Sequence, residues 1–297
     1  MVKIAADVER ALAQRAVEGG PGRLEGRVLA RGDGWIVEDV VCSSGPQDRA
    51  YEEQHSRVSI AIVTAGSFQY RASASRTSSE LMTPGSLLLG HPGQPFECGH
   101  EHGAGDRCLS FRYTAEYFET LTSEAVRHAT PRFRSLRLPV HRALSPVVAR
   151  ACAALEGSSA IEWEEIGVRL AVQSARLDCD GAIHTSITPA AIARVTRAVR
   201  LVERGPGTPL TLRRLAEEAG LSRYHFLRVF ETLTGVTPHQ YILRARLRHA
   251  AARLASDRAS VLDIAFDSGF GDVSNFNRAF RAEFGVSPRA FRTNPAC

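Results

Sequence analysis

Between residues 25 and 113 apolar positions come in short alternating runs. Val58, Ile60 and Ile62 alternate with Ser59, Ala61 and Val63, and Gly66 breaks the run. Phe68 and Tyr70 alternate again, Pro84-Gly85 reads as a turn, and Leu87, Leu88 and Leu89 follow. Leu109, Phe111 and Tyr113 share one face of a later strand. Several short strands separated by Gly and Pro predict a small β-sandwich or barrel. Residues 1–22 read as a helical or frayed leader ending in Gly19-Gly20-Pro21-Gly22.

The period then changes from two to about 3.6. Thr114 has the character of an N-cap before Ala115-Glu116. Val147, Ala151 and Leu155 stripe one predicted helix, and Ile166, Leu170, Val172 and Leu177 populate a second. This pair packs on the β-domain or on a second copy of itself. Asp180 to Ser186 reads as a linker. Thr188-Pro189 is a cap followed by Pro at the first helical position, Val195, Val199 and Val202 form a stripe, and Gly205-Pro206-Gly207 ends that helix. The expected fold class is α+β multidomain. Residues 1–22 form a leader, 23–140 a small β-barrel, 141–183 a helical pair suited to dimerisation, 184–189 a linker, and 190–297 an all-α domain.

That last domain contains an internal repeat. Leu215-Ala216 and Gly220 match Ile264-Ala265 and Gly269 at an offset of 49. Ser222, Phe226, Arg228, Phe230, Gly235, Val236 and Pro238 match Asp272, Phe276, Arg278, Phe280, Gly285, Val286 and Pro288 at an offset of 50. A supersecondary unit used twice gives this pattern. In the first copy Leu212, Leu215, Ala216 and Ala219 fall on one helical face, and Gly220 supplies the positive φ that ends the helix. Ser222 caps a second helix whose Phe226, Val229, Phe230 and Leu233 turn inward. The second copy repeats this with Val261, Ile264, Ala265 and Ser268, then Gly269, the cap Asp272, and inward Phe276, Ala279 and Phe280. Both are predicted helix-turn-helix units, at about 210–235 and 260–285. Outward positions are Arg223, Tyr224, Leu227 and Arg228 in one and Val273, Ser274, Asn277 and Arg278 in the other. Arg can chelate guanine O6 and N7, Asn can pair with adenine, and Leu or Val can meet a thymine methyl. A connecting helix from Pro238 to Leu254, striped by Leu243, Leu247, Ala250 and Leu254, spans about 24 Å. Successive major-groove turns lie roughly 34 Å apart on one face of DNA.

Charge supports this reading. The chain carries a formal +5, but residues 190–297 hold 17 Arg, no Lys and 9 acidic residues, so the remainder is net −3. A basic C-terminal third on a mildly acidic remainder points to a polyanion partner for that third. No apolar run reaches the roughly 18–20 residues of a membrane span, and Met1-Val2-Lys3 opens no signal-peptide core. The expected location is cytoplasmic, with reduced cysteines.

The segment IAFDSGFGDVSNFNRAFRAEFGVSPRAFR resembles the signature of the AraC/XylS family of bacterial transcription regulators. Ile264-Ala265, Gly269-Phe270, Ser274, Phe276, Arg278, Phe280, Gly285, Ser287-Pro288 and Phe291-Arg292 carry the resemblance, which extends over about 188–293. It implies two helix-turn-helix units on double-stranded DNA, with Tyr224, Leu227, Arg228, Val273, Ser274, Asn277 and Arg278 at the base-reading positions. Leu227 departs from the polar residue common there, which shifts weight to Arg223, Tyr224 and Arg228. The resemblance further implies RNA polymerase as a partner and a cupin-like N-terminal domain that binds an effector, dimerises, or both. His55, Gly66, Pro84-Gly85 and Pro92-Gly93 fall at its expected strand ends and turns.

One segment of the β-region carries its own chemistry. Cys98, His100 and His102 alternate on a strand, and a Gly-rich bend can return Cys108 to them. Cys and His suit zinc or another transition metal, so these four residues are the candidate ligands, with His55 as a further one. A polar loop at the barrel mouth and a redox-responsive thiol pair are the rival readings. Cys152 and Cys179 read as buried helix residues, and His225 and His239 as phosphate or packing contacts. The alternative function is a cupin-type metal-dependent enzyme domain, using His100, His102 and Asp106 or His55, fused to a DNA-binding module. No nucleophile–base pair or phosphate-cradling glycine loop is visible, so the chain is expected not to be an enzyme. A non-specific nucleic-acid binder is the third reading.

Overall fold

The computed structural model describes residues 3–50, 52–72, 79–123, 132–155, 163–179 and 188–293. Among the described residues, ten strands and two α-helices accompany a helix pair in the first half. The first helix, α1 (Lys3–Glu18), is followed by β1 (Leu24–Gly32), β2 (Trp35–Cys42), β3 (Glu52–Gln54), β4 (Val58–Gly66), β5 (Phe68–Ala72), β6 (Ser79–Met82), β7 (Leu87–Gly90), β8 (Pro95–Gly99) and β9 (Asp106–Tyr113). Helix α2 (Ala115–Ser123), the short strand β10 (Arg137–Leu138), α3 (Ser145–Leu155) and α4 (Trp163–Cys179) complete this half. The strands form two antiparallel sheets, β1-β2-β9-β4-β7-β10 and β3-β8-β5-β6.

Alternation alone would make β4 half-buried, yet Val58 through Val63 are all buried. The reason is that the larger sheet is covered on both faces. Ile60, Ile62, Leu109, Phe111 and Tyr113 pack with Val147, Ala151, Ile166 and Leu170 of α3 and α4. Ala61, Val63, Leu88 and Cys108 face the smaller sheet through Phe68, Tyr70 and Met82. The helical pair therefore packs on the β-domain. The predicted leader is the docked helix α1. Its Val8 packs on Ala65, and Arg107 forms ion pairs with both Asp7 and the buried Asp39. Thr114 caps α2, its hydroxyl accepting from the Tyr117 N–H at 3.2 Å.

The C-terminal half contains α5 (Pro189–Arg204), α6 (Leu212–Ala219), α7 (Arg223–Thr234), α8 (Pro238–Ser256), α9 (Val261–Asp267), α10 (Val273–Phe284) and α11 (Pro288–Thr293). Helix α8 is buried along two faces. Tyr241, Ile242 and Ala245 join the core of the first unit, whereas Leu247, Ala250, Ala251 and Leu254 join that of the second. Leu243, placed in the predicted stripe, is half-buried against the second core. Of the predicted linker, residues 180–187 lie outside the described residues, whereas Thr188 caps α5 and Pro189 begins it.

The halves share apolar surface. Leu81 and Val140 belong to the core of the first unit, and Ala149 of α3 to that of the second. Among the described residues, no helix is long and apolar enough to cross a membrane.

Candidate nucleic-acid interface

Each helix-turn-helix unit is built by local chemistry. In the first, the Thr211 hydroxyl caps α6 by accepting from the Arg214 N–H. Gly220 ends that helix at φ +64°, and its N–H returns to the Ala216 and Glu217 carbonyls. The Ser222 hydroxyl then accepts from the His225 N–H at 3.3 Å and starts α7. In the second, Ser260 caps α9 and Gly269 turns at φ +85°. The Asp272 carboxylate accepts from the Ser274 and Asn275 N–H groups at 2.7 and 2.9 Å. That carboxylate also meets the positive end of the helix dipole.

Packing fixes which faces remain outside. Phe226 and Phe230 of α7, and Phe276 and Phe280 of α10, are fully buried. The second unit adds Phe284 and Phe291, whose rings lie 4.5 and 5.5 Å from that of Phe280. The opposite faces are open: Arg223, Tyr224, Arg228, Ser274, Asn277 and Arg278 are exposed, Tyr224 at 72%. Arg228 lies over the Tyr224 ring at 5.9 Å, and Arg278 donates to Asn275 at 3.2 Å. Both guanidiniums stay on the outer surface. His225 and His239 are exposed as well.

Five placements differ from the sequence reading. Leu227 and Val273 are half-buried, Val273 against the second core, because each sits at the border of its helix's apolar face. Leu212 is 39% exposed, since the buried face of α6 begins one turn later at Leu215. Cys179 is exposed at the end of α4, and Cys152 is only partly buried.

The metal candidates separate. His100 is buried, and its Nε2 lies 2.6 Å from Asp106 Oδ1. The Cys108 thiol donates to the other Asp106 oxygen at 3.5 Å. Cys42, Asp39's neighbour three residues on along β2, completes a buried group with His100 and Asp106 whose ligand atoms all lie within 4.8 Å of one another. Sequence spacing could not show Cys42. It arrives through the β2–β9 register, in which Cys42 stands opposite Asp106. Burial opposes a charged imidazole, but Asp106 and Cys42 outweigh it and raise the His100 pKa to about 10. Burial pushes the Cys98 and Cys108 thiols up. His102 turns away, because the chain bends after β8. It lines a small pocket with Ser67, Leu81 and Thr196 of α5, and its carbonyl accepts from Arg200 at 3.3 Å. His55 is also elsewhere: it stacks on Phe96 and shares a 2.7 Å hydrogen bond with the Tyr70 hydroxyl.

Comparison with known proteins agrees with this architecture. Residues 39–173 match the AraC-like ligand binding domain, and residues 215–294 match a helix-turn-helix domain. The regulatory protein SoxS of Salmonella typhimurium is 36% identical over 84 residues, which cover 78% of SoxS and 28% of this chain. The chain belongs to the AraC/XylS family of transcription regulators. Its fold class is that of the family, a cupin-like β-rich domain followed by a helical DNA-binding domain. The transcriptional activator RhaS of Escherichia coli is 44% identical over 78 residues, 26% of this regulator and 28% of RhaS. PqrA of Proteus vulgaris, a probable transcription factor, is 36% identical over 80 residues, 27% of this regulator and 66% of PqrA. The regulator therefore matches less than a third of RhaS and about two thirds of PqrA. The DNA-binding domain of AdpA, solved with a target DNA, is 28% identical, covers 35% of this chain and 98% of its own, and superposes with a TM-score of 0.33.

Proposed function

We propose that the regulator recognises a specific duplex site by placing α7 and α10 in successive major grooves. Arg223, Tyr224 and Arg228 read one groove, with Leu227 at its edge. Ser274, Asn277 and Arg278 read the other, with Val273 at its edge. The observation that carries this reading is the division of each helix. Aromatic residues lock one face into a core, and the exposed face presents hydrogen-bonding side chains near a capped N-terminus. Helix α8 spans about 28 Å for its 19 residues, a length suited to a roughly 34 Å groove repeat.

RNA polymerase is the partner through which such a complex changes transcription. The β-domain supplies the input, by an effector, a metal or a dimer contact. The family supports a regulator over the enzyme alternative, and so does the buried Cys42–His100–Asp106 group, which offers a substrate no open face. The test is selection of the full chain against randomised duplexes. The reading expects an enriched motif in two parts, centred about one helical turn apart. Equal retention of all sequences would leave the non-specific reading in its place.

A further inference from the structure

Three features of the β-domain remain without a role: a buried thiol–imidazole–carboxylate group, a pocket with unpartnered polar atoms beside it, and the chain between them. Cys42, His100 and Asp106 come from three places in the chain, the ends of β2, of β8 and the start of β9. Asp106 and Cys108 alternate on β9, so both face the interior between the sheets, as does Cys98 from the opposing sheet. A hydrogen-bonded core needs no sulfur here, and a thiol, an imidazole and a carboxylate together form the donor set of a borderline dication.

The distances suit that use. A tetrahedral zinc with bonds of 2.0–2.3 Å holds its ligand atoms about 3.3–3.8 Å apart. The three ligand atoms here lie within 4.8 Å of one another, and His100 and Asp106 are closed to 2.6 Å around a shared proton. Side-chain rotations therefore assemble three ligands without moving a strand. The fourth is at hand, because the Cys108 sulfur is 3.5 Å from Asp106 Oδ2.

We propose that Cys42, His100, Asp106 and Cys108 form a binding site for a borderline transition-metal dication of the zinc type. Binding breaks two S–H bonds and removes the proton shared by His100 and Asp106. Three protons leave to solvent, and two metal–sulfur, one metal–nitrogen and one metal–oxygen bond form, with no change of oxidation state.

The site has a path to the DNA-binding half. Two residues, Glu101 and His102, join His100 to Gly103, whose segment packs on α5. The Ser67 and Thr196 hydroxyls and His102 Nε2 are buried there without a partner, and Arg200 of α5 donates to the His102 carbonyl. Reorienting the His100 ring toward a metal would alter the packing at one end of this segment, whose other end contacts α5. This coupling rests on the proposed DNA reading, whereas the metal site does not.

The experiment uses the full chain, stripped with chelator under reducing conditions and titrated with Zn2+ and Co2+. One equivalent should bind, and Co2+ should give a thiolate charge-transfer band with tetrahedral ligand-field absorption. Cys42→Ser and His100→Ala should each weaken Zn2+ binding at least tenfold, and Cys179→Ser should leave it unchanged. Failure of the stripped wild-type chain to bind either ion overturns the site, as does binding that survives both Cys42→Ser and His100→Ala. If a variant does not fold by circular dichroism, the wild-type stoichiometry and Co2+ spectrum decide alone. DNA affinity is measured with and without Zn2+, and absence of DNA binding in both states counts against the DNA reading only. A change on adding Zn2+ that is abolished in Arg200→Ala supports the coupling, and identical affinities with and without Zn2+ overturn it.

Discussion

Glu283 of α10 pairs with Arg244 of α8 and accepts from Ser145 of the other half, and removing it should reveal how much its buried ion pair contributes. Arg244 Nε lies 3.2 Å from Glu283 Oε1, and the two side chains keep only 14% and 10% exposure. The Ser145 hydroxyl at the start of α3 donates to the same oxygen. Arg244 also donates to the Val140 carbonyl, and Arg142 Nε donates to the Ala282 carbonyl at 2.7 Å. Glu283→Ala would leave the Arg244 guanidinium largely buried with one carbonyl partner. Breaking a fully buried pair costs about 3–5 kcal/mol. The residual exposure and the remaining carbonyl lower the expectation to about 2–3 kcal/mol. A double-mutant cycle with Arg244→Ala, read by urea denaturation, should give a coupling of about 1–3 kcal/mol. An exposed pair would give 0.2–1 kcal/mol and lose it in salt, at roughly the 0.2–1 range measured for surface pairs. A coupling below about 0.5 kcal/mol, or one that vanishes in 0.5 M salt (about a 4 Å screening length), would refute the reasoning.

Three further outcomes are expected. Arg278→Ala should change stability by less than about 0.5 kcal/mol, since the side chain is exposed, yet weaken a selected site by about 1–3 kcal/mol and relax its base preference; equal weakening on random duplex in a titration would mean a phosphate contact alone. Gly220→Ala should cost about 1–2 kcal/mol in a urea melt from backbone strain at φ +64°, because no atom lies within 4 Å of the added Cβ, and a neutral result would contradict this. His55 is held to a pKa of about 4 by burial and by the charges of His91 and Arg112. Its folded pKa lies below the unfolded value, so its contribution is present above about pH 6.5 and is lost as pH falls toward 4, by about 3 kcal/mol in all. His55→Phe should flatten that limb of the pH–stability curve, and an unchanged curve would remove His55 from the account.

The helix-turn-helix pair was legible because its signals are local. Caps at Ser222 and Asp272, turns at Gly220 and Gly269, and Phe at fixed helical spacing each act within a few residues. What alternation could not show was coverage from a distance. Val58 to Val63 read as one-sided, but sheet and helices close on both sides. The same holds for Leu227 and Val273, whose half-burial depends on the position of a core border. In the β-domain, spacing gathered Cys98, His100, His102 and Cys108 from one segment. Strand register instead brought Cys42 to His100 and Asp106, and the bend after β8 sent His102 to α5. Pairing between strands far apart in sequence leaves no mark on either strand alone.

The central claim is that two outward helices occupy consecutive major grooves of one duplex. Footprinting by hydroxyl radical and guanine methylation, on a site recovered from selection, tests it most directly. Two protected patches are expected on one face of the duplex, centred roughly 10 base pairs apart, one lost in Arg228→Ala and the other in Arg278→Ala. A single patch, or loss of the same patch in both variants, would contradict it.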